Sequence, residues 1–439
     1  MTQQAEVRGK FESGTVRVGV LGCGNVGAAL VQLIDEQADA IQLRTGLRLE
    51  VAAVAVRNVS RDRAVTLPAG VLTRDAHAVV ADPSIDIIVE VIGGIEPARE
   101  LITTALAAGK PVITANKELL ANVGTELFAA ADGAGVDLLF EAAVAGGIPL
   151  IRALRESLRG EAIHRVMGIV NGTTNFILTK MTEDGADYGV ALAEAQALGF
   201  AERDPTADVE GFDAGAKAAI IATIAFGVRV VAGDVYHEGI SRITAHDIAV
   251  ARRLGYVVKL LGIAEQHPET GEVAVRVHPA MVPVTHPLAS VRESYNAVFI
   301  EGRAVGSLML YGRGAGGFPT ASAVMGDLID AAVNLSKGTH GSLGTFGKAV
   351  TLPIDETSSE YLLSLEVADE PGVLHAVTGV FARHGVSIRA AEQEGAAPDA
   401  RLVFVTHVAK ESSVQSTVRE LRELPVVRSV GDLLRVIGQ

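Results

Sequence analysis

Six residues constrain this chain more than any others. Gly22-Cys23-Gly24-Asn25-Val26-Gly27 is a complete G-x-G-x-x-G set. It lies between the β-branched run Val16–Leu21 and the amphipathic stretch Ala28–Asp35. The glycines alone carry little; a strand before them and a helix after them give the motif its meaning. Gly22 permits the tight turn, Gly24 lets a pyrophosphate approach the backbone, and Gly27 lets helix and strand pack closely. The phosphates then lie at the helix N-terminus, where free N–H groups and the dipole favour anions. Further strand-like runs at 49–56, 85–91 and 111–114 alternate with helical stretches. That alternation predicts an α/β unit, a doubly wound parallel sheet of the Rossmann type.

The second strand ends Ala55-Val56-Arg57-Asn58, with Arg61 and Arg63 close behind. A carboxylate there suits the ribose 2′-OH of NAD; an arginine suits a 2′-phosphate. NADP(H) is therefore the expected cofactor, with NAD(H) left open, and Gly22, Gly24, Asn25, Val26, Gly27, Arg57 and Arg63 as its contacts. A nicotinamide narrows the chemistry to hydride transfer. The only cysteine, Cys23, sits inside the phosphate turn. Aldehyde oxidation through a thiolate nucleophile is thereby excluded, leaving interconversion of a carbonyl with an alcohol or amine. One cysteine and scattered histidines make a zinc site a poor expectation. With 38 Lys+Arg against 52 Asp+Glu, a net charge of −14 and no tryptophan, no nucleic-acid partner is expected. Charges interrupt every long apolar stretch and Met1–Glu6 lacks a signal-peptide pattern, so no membrane is expected and the location is read as cytoplasmic.

The densest chemistry lies between Ala195 and Lys217. Glu202, Asp204, Asp208 and Glu210 lead into a helix whose first turns carry Asp213 and Lys217. Their i, i+4 spacing puts both on one face. A lysine beside a carboxylate can protonate an oxygen that becomes negative as hydride arrives.

Here the sequence resembles the homoserine dehydrogenase family. Residues 195–217 match its signature without a gap: Ala, three residues, Gly-apolar-small, a spacer, Asp-Pro, two residues, Asp-apolar, one residue, Gly, one residue, Asp, three residues, Lys. Thr114–Lys117, Glu141–Pro149 and Asn171–Asn175 are similar to the same family and occur in its order, so the resemblance spans about residues 15–345. It implies NADPH-dependent, reversible reduction of L-aspartate 4-semialdehyde to L-homoserine, in threonine and methionine biosynthesis. Lys217 is then the proton donor, with Asp213 and Lys117 as catalytic or positioning partners. Glu202, Asp208, Gly172, Thr173 and Lys117 would hold substrate, the Gly172-Thr173-Thr174 turn through N–H and hydroxyl donors. Lys117, Gly199 and Gly317 join the cofactor contacts. Glu141, Val144, Gly146 and Ile148 match a monovalent-cation site, sodium in the family, as one carboxylate among backbone carbonyls. Two other readings stay open: another small amino-acid dehydrogenase such as aspartate dehydrogenase, and a dinucleotide- and amino-acid-binding sensor without turnover.

Four segments are expected: a cofactor domain over 1–139 completed by 311–345, a mixed α+β catalytic and dimerisation domain over 140–310, a linker over 346–360, and a C-terminal unit over 361–439. The last has strand, helix, strand, strand, helix, strand order, ferredoxin-like, and its Asp369-Glu370-Pro371-Gly372-Val373-Leu374 opening resembles ACT domains. That resemblance implies an amino-acid effector, with L-threonine the candidate, and pairing into a homodimer or homotetramer. Nothing in 361–439 matches the catalytic motifs, so this unit is expected to be dispensable for chemistry.

Overall fold

The computed structural model describes residues 14–396 and 399–438. Its first sheet contains β1 (Thr15–Leu21), β2 (Arg48–Ala55), β3 (Leu72–Thr73), β4 (Ile87–Glu90), β5 (Val112–Thr114) and β6 (Leu138–Leu139), in the order β3-β2-β1-β4-β5-β6. Every pairing is parallel. Parallel strands covered by helices on both faces must be apolar throughout, and Val16, Val18, Val20, Val54, Val89 and Ile113 are buried in one core with Leu30 and Ile34 of the first helix. The strand order reverses between β1 and β4, which opens a crevice beyond their carboxyl ends, where such folds bind ligands.

The later strands are β7 (Ile163–Ile169), β8 (Val228–Arg229), β9 (Tyr236–His237), β10 (Tyr256–Gln266), β11 (Val273–Pro283), β12 (Tyr295–Gly302), β13 (Gly306–Arg313), β14 (Gly347–Lys348), β15 (Ser358–Ala368), β16 (Ile388–Ala396), β17 (Asp399–Thr406), β18 (Ala409–Lys410), β19 (Val427–Val430) and β20 (Leu434–Val436). The chain divides into two compact units. One runs to Val166 and adds Ala216–Asp234 and Asn296–Ala349; the other comprises Met167–Gly215, Val235–Tyr295 and the chain from Val350 onward. This cuts across the four expected segments for two reasons. The long helix Gly317–Lys337 returns to the first core through Val324 and Leu328. The C-terminal unit shares a sheet with β11, as follows.

The ferredoxin-like order is present: β15, the helix Val373–Arg383, β16, β17, the helix Glu411–Glu423, β19. Tyr361, Leu365, Val377, Phe381, Phe404 and Leu421 form its core. The expected single last strand over 426–436 is two strands. Gly431 donates its N–H to the Ser364 carbonyl at 2.8 Å and lies so close that a Cβ there would meet Ser364 Oγ at 2.3 Å. The chain breaks there. β19 stays with β15, whereas β20 pairs both with β15 and, in parallel, with β11 through Ala280–Arg435 and Met281–Val436. The chain segment Leu434–Val436 is therefore a strand of the catalytic segment's own sheet. The expected linker over 346–360 carries pairings of its own: β14 pairs with β8, and Thr351 bridges Val273. Among the described residues no helix is long and apolar enough to cross a membrane.

Lys259, on β10, is only 2% exposed. Its ammonium group donates to Asn175 Oδ1 at 2.9 Å and to the Val291 carbonyl at 2.5 Å. Burial pulls its pKa down to about 8 from 10.5. Between those values the unfolded chain binds the proton more tightly, so stability rises with pH there. Urea denaturation at about pH 8 and about pH 9.5 should show that rise in the wild type and a flatter profile in Lys259→Met. Equal slopes in both proteins would assign the rise to another group.

Candidate active site

The cofactor loop is built on close backbone approaches. Gly22 has φ +104°, donates to the Ala55 carbonyl at 2.9 Å, and a Cβ there would lie 2.8 Å from the Val91 carbonyl oxygen. A Cβ at Gly27 would meet Gly22 O at 2.3 Å, so helix and strand touch only because neither residue has a side chain. At Gly24 the corresponding space is open, and no side chain caps the helix Asn25–Glu36 that starts with Asn25 and Val26. Open space before uncapped N–H groups fits a pyrophosphate. Gly317 packs on this loop, its would-be Cβ 3.1 Å from Asn25 O. A cleft of about 1090 Å³ runs from the loop along the ends of β1, β2 and β4, lined by Arg57, Arg61, Arg63, Arg74 and His77.

The two expected phosphate arginines differ in use. Arg57 is exposed on the cleft. Arg63 donates to the carbonyls of Asn58 at 2.5 Å and Arg61 at 2.6 Å and lies against the Cys23 thiol. It holds its own loop in shape. Arg74, seventeen positions beyond Arg57, was not singled out from sequence; only the β3 pairing carries it into the same cleft.

Lys117 opens the helix Lys117–Ala134 directly after β5 and is half-buried. Its position is set by Glu90, fully buried at the end of β4. That carboxylate accepts from Ile92 N and Gly93 N at 2.8 and 3.0 Å and from Thr114 Oγ1 at 2.6 Å. Thr114 in turn receives the Asn116 N–H, and Asn116 Oδ1 caps the helix at Leu119 N. Glu90 and Asn116 were not assigned roles from sequence, since nothing local distinguishes them.

At the expected cation segment, Glu141 Oε1 and Oε2 accept the N–H groups of Ile151 and Arg152 at 2.8 and 2.7 Å. Burial pushes this carboxyl group's pKa up while those N–H groups pull it down. The side chain thus starts the next helical turn. Asp327, pushed to about 7 by burial, receives Glu141 N at 2.7 Å and is 3.2 Å from Arg152 Nη2. Val144 and Ile148 are buried, and Ala145 and Gly146 take φ of 57° and 55°. Among the described residues no cluster of three or more His, Cys, Asp or Glu could hold a metal.

The substrate-side residues gather around Asn171. Its Oδ1 caps the helix Gly172–Glu183 at Thr174 N (2.9 Å) and also receives Thr174 Oγ1 (3.0 Å). Its Nδ2 donates to Asp208 Oδ1 at 2.7 Å and to Asp213 Oδ2 at 2.9 Å. One carboxamide therefore holds both expected carboxylates side by side. Gly172 is pressed against the Ser294 carbonyl, 2.7 Å from a would-be Cβ. Thr173 Oγ1 donates to the Phe200 carbonyl at 2.6 Å. Both threonine hydroxyls donate inside the protein. The Thr173 bond holds the turn where Gly199, at φ +77°, ends the helix Tyr188–Ala197. Glu202 is exposed and its backbone carbonyl receives Gln196 Nε2 at 3.0 Å. Asp213 and Lys217 lie one turn apart on the helix Phe212–Phe226, each 9% exposed.

A dinucleotide loop at a sheet's switch point, with an ammonium and carboxylates on a separate helical scaffold, defines an NAD(P)-dependent oxidoreductase acting on a CH–OH group. Comparison with known proteins agrees. Residues 22–141 match the model of the homoserine dehydrogenase NAD-binding domain, 149–329 that of homoserine dehydrogenase, and 361–426 that of the ACT domain. The homoserine dehydrogenase of Corynebacterium glutamicum is 49% identical over 98% of this chain and 97% of its own length. The crystal structure of a homoserine dehydrogenase from Thiobacillus denitrificans superposes with a TM-score of 0.91 at 41% identity, covering 96% of this chain and 98% of that one. A hyperthermophilic archaeal homoserine dehydrogenase solved with NADPH has a TM-score of 0.60 at 29% identity, over 72% of this chain and 97% of that one. The chain belongs to the homoserine dehydrogenase family. Its activity is the interconversion of L-aspartate 4-semialdehyde and L-homoserine, in amino-acid biosynthesis, and its C-terminal domain takes an amino-acid effector.

Asn171→Asp keeps the helix cap but replaces two N–H donors with a third carboxylate. It should lower stability by about 1–3 kcal/mol and raise KM for homoserine. A variant with wild-type melting temperature and wild-type KM would show that the carboxylates are held by something else.

Proposed function

We propose that Lys217 protonates the aldehyde oxygen of aspartate semialdehyde during reduction, and takes the proton back in homoserine oxidation. A bound nicotinamide supplies the hydride. As the carbonyl carbon gains it, the oxygen becomes an alkoxide, and an ammonium one turn from Asp213 gives that oxygen a proton. Asp208 and Asp213, held by Asn171, orient the substrate. The exposed carboxylate of Glu202 suits its ammonium group, and the Gly172 and Thr173 N–H groups at the helix start suit its carboxylate. Lys117, at the mouth of β5, serves the same substrate and the cofactor. The Asn171 bridge to both carboxylates carries this reading. Lys217→Ala should lose most of kcat while cofactor KM stays near the wild-type value, because a proton donor acts on the transition state. A kcat near wild type would end the assignment.

NADPH is the proposed preferred cofactor over NADH. Support comes from Arg57, exposed on a cleft that also holds Arg61 and Arg74, and from the absence of a carboxylate at the end of β2 (Ala55-Val56-Arg57-Asn58). A charge-assisted bond to the 2′-phosphate predicts that Arg57→Ala raises KM for NADPH about tenfold or more and KM for NADH little. Equal effects on both would make Arg57 a surface charge. The proposal extends to sodium on the backbone carbonyls of Glu141, Val144, Gly146 and Ile148, an all-oxygen donor set suited to a hard cation. It extends also to L-threonine as effector, a homodimer or homotetramer, and a cytoplasmic location. The ACT match supports the effector, since such domains pair through exposed sheet edges.

A further inference from the structure

Strand β20 carries a heavily partnered charge. Arg435, on β20, is 2% exposed and forks onto two carboxylates. Its Nη1 and Nη2 donate to Glu238 Oε2 and Oε1 at 2.8 and 2.9 Å, and its Nε and Nη2 to Glu411 Oε2 and Oε1 at 2.8 and 2.7 Å. Tyr361 donates its hydroxyl to Glu411 at 2.8 Å, Tyr236 donates its hydroxyl to Glu238, and Gln415 donates to Glu411 at 2.7 Å. Glu411, Tyr361 and Arg435 belong to the C-terminal domain. Glu238 and Tyr236 do not; they follow the helix Phe212–Phe226 in the chain.

Glu238 sits in a segment that forms the floor under one particular turn. Ile240 donates its N–H to the Val209 carbonyl at 2.8 Å. Gly239 is so close to that turn that a Cβ would lie 2.4 Å from Val209 O and from Glu210 Oε2. Gly211, at φ +83°, approaches the Glu238 carbonyl to 3.3 Å from a would-be Cβ, and the Phe212 ring centroid is 4.4 Å from that of His237. The turn from Val209 to Phe212 joins Asp208 to Asp213. Its floor is fixed from below by Glu238 N donating to Val277 O, and from the side by the Arg435 fork.

We propose that Arg435 and Glu238 are positioning residues of the substrate site: the Arg435 fork fixes Glu238, and the backbone around Glu238 fixes the turn that sets Asp208 against Asp213. The end of the C-terminal domain is thereby a working part of the active site, and a shift of β20 is felt at the substrate carboxylates without any contact to them. This rests on the reading of Asp208 and Asp213 as substrate-binding residues.

Two variants test it, with Asp208→Asn as control. Glu238→Gln weakens the fork while keeping hydrogen-bonding shape, and Tyr236→Phe removes only one hydroxyl from Glu238. In variants whose thermal unfolding remains cooperative, KM for homoserine should rise about fivefold in Glu238→Gln and less in Tyr236→Phe, with KM for the dinucleotide within about twofold of wild type. A merely structural role lowers the melting temperature and leaves that KM ratio unmoved. Unchanged homoserine KM in both variants, or equal rises for homoserine and dinucleotide, overturns the inference. If Asp208→Asn raises homoserine KM and the other two do not, this inference fails alone. If Asp208→Asn leaves it unchanged, the substrate role of Asp208 fails first. Should Glu238→Gln not fold, Tyr236→Phe alone decides by the same ratio.

Discussion

Asp208 and Asp213 are like charges that a folded chain keeps together, and everything on the substrate side depends on how. Two carboxylates a few ångströms apart repel, the more so as water is excluded. Asn171 answers with one N–H to each. Its orientation is unambiguous, because its oxygen is already used as the cap of the helix Gly172–Glu183. That helix also turns its positive end toward the pair. The cap, the bridge and the dipole come from one residue placed at one helix start, and β7 delivers it there. Thr173, next in line, holds the Phe200 turn, so the loop bearing Gly199 is tied to the same point.

What could be read from sequence was what depends on neighbours in the chain. The glycines of the 22–27 loop announce their function because turn, approach and packing are properties of adjacent residues, and each close contact is present. The Asp213–Lys217 pair is legible because a helix fixes i, i+4. What was missed depends on partners far away in the chain. Glu90 meets Thr114, Glu141 meets a helical turn ten residues on, and Arg74 reaches the cofactor cleft through β3. Arg57 and Arg63 look alike in a string of letters; only the carbonyls around Arg63 separate a loop staple from a free guanidinium. The expectation of one strand over 426–436 follows from the apolar residues on both sides of Gly431-Asp432. The break at Gly431 is imposed by its approach to Ser364, a contact 67 residues away.

That break matters to how the C-terminal domain is attached. Its exposed ion pairs to the catalytic segment, Arg253 with Glu392 and Glu394 and Arg242 with Asp432, are of the solvated kind that contributes about 0–1 kcal/mol. β20 offers two ladder pairs to β11 and three to β15. The Arg435 fork adds a side-chain constraint to that short ladder. Sliding β20 by one residue turns every side chain to the opposite face, so Leu434 or Val436 would face Glu238 and Glu411, and Arg435 would enter the apolar side. The buried Glu411 and the half-buried Glu238 without a cation are far more costly than the well-paired cluster. One register is acceptable and its neighbours are not, and in that register Glu238, the floor of the Val209–Phe212 turn, is held in place by the end of the chain.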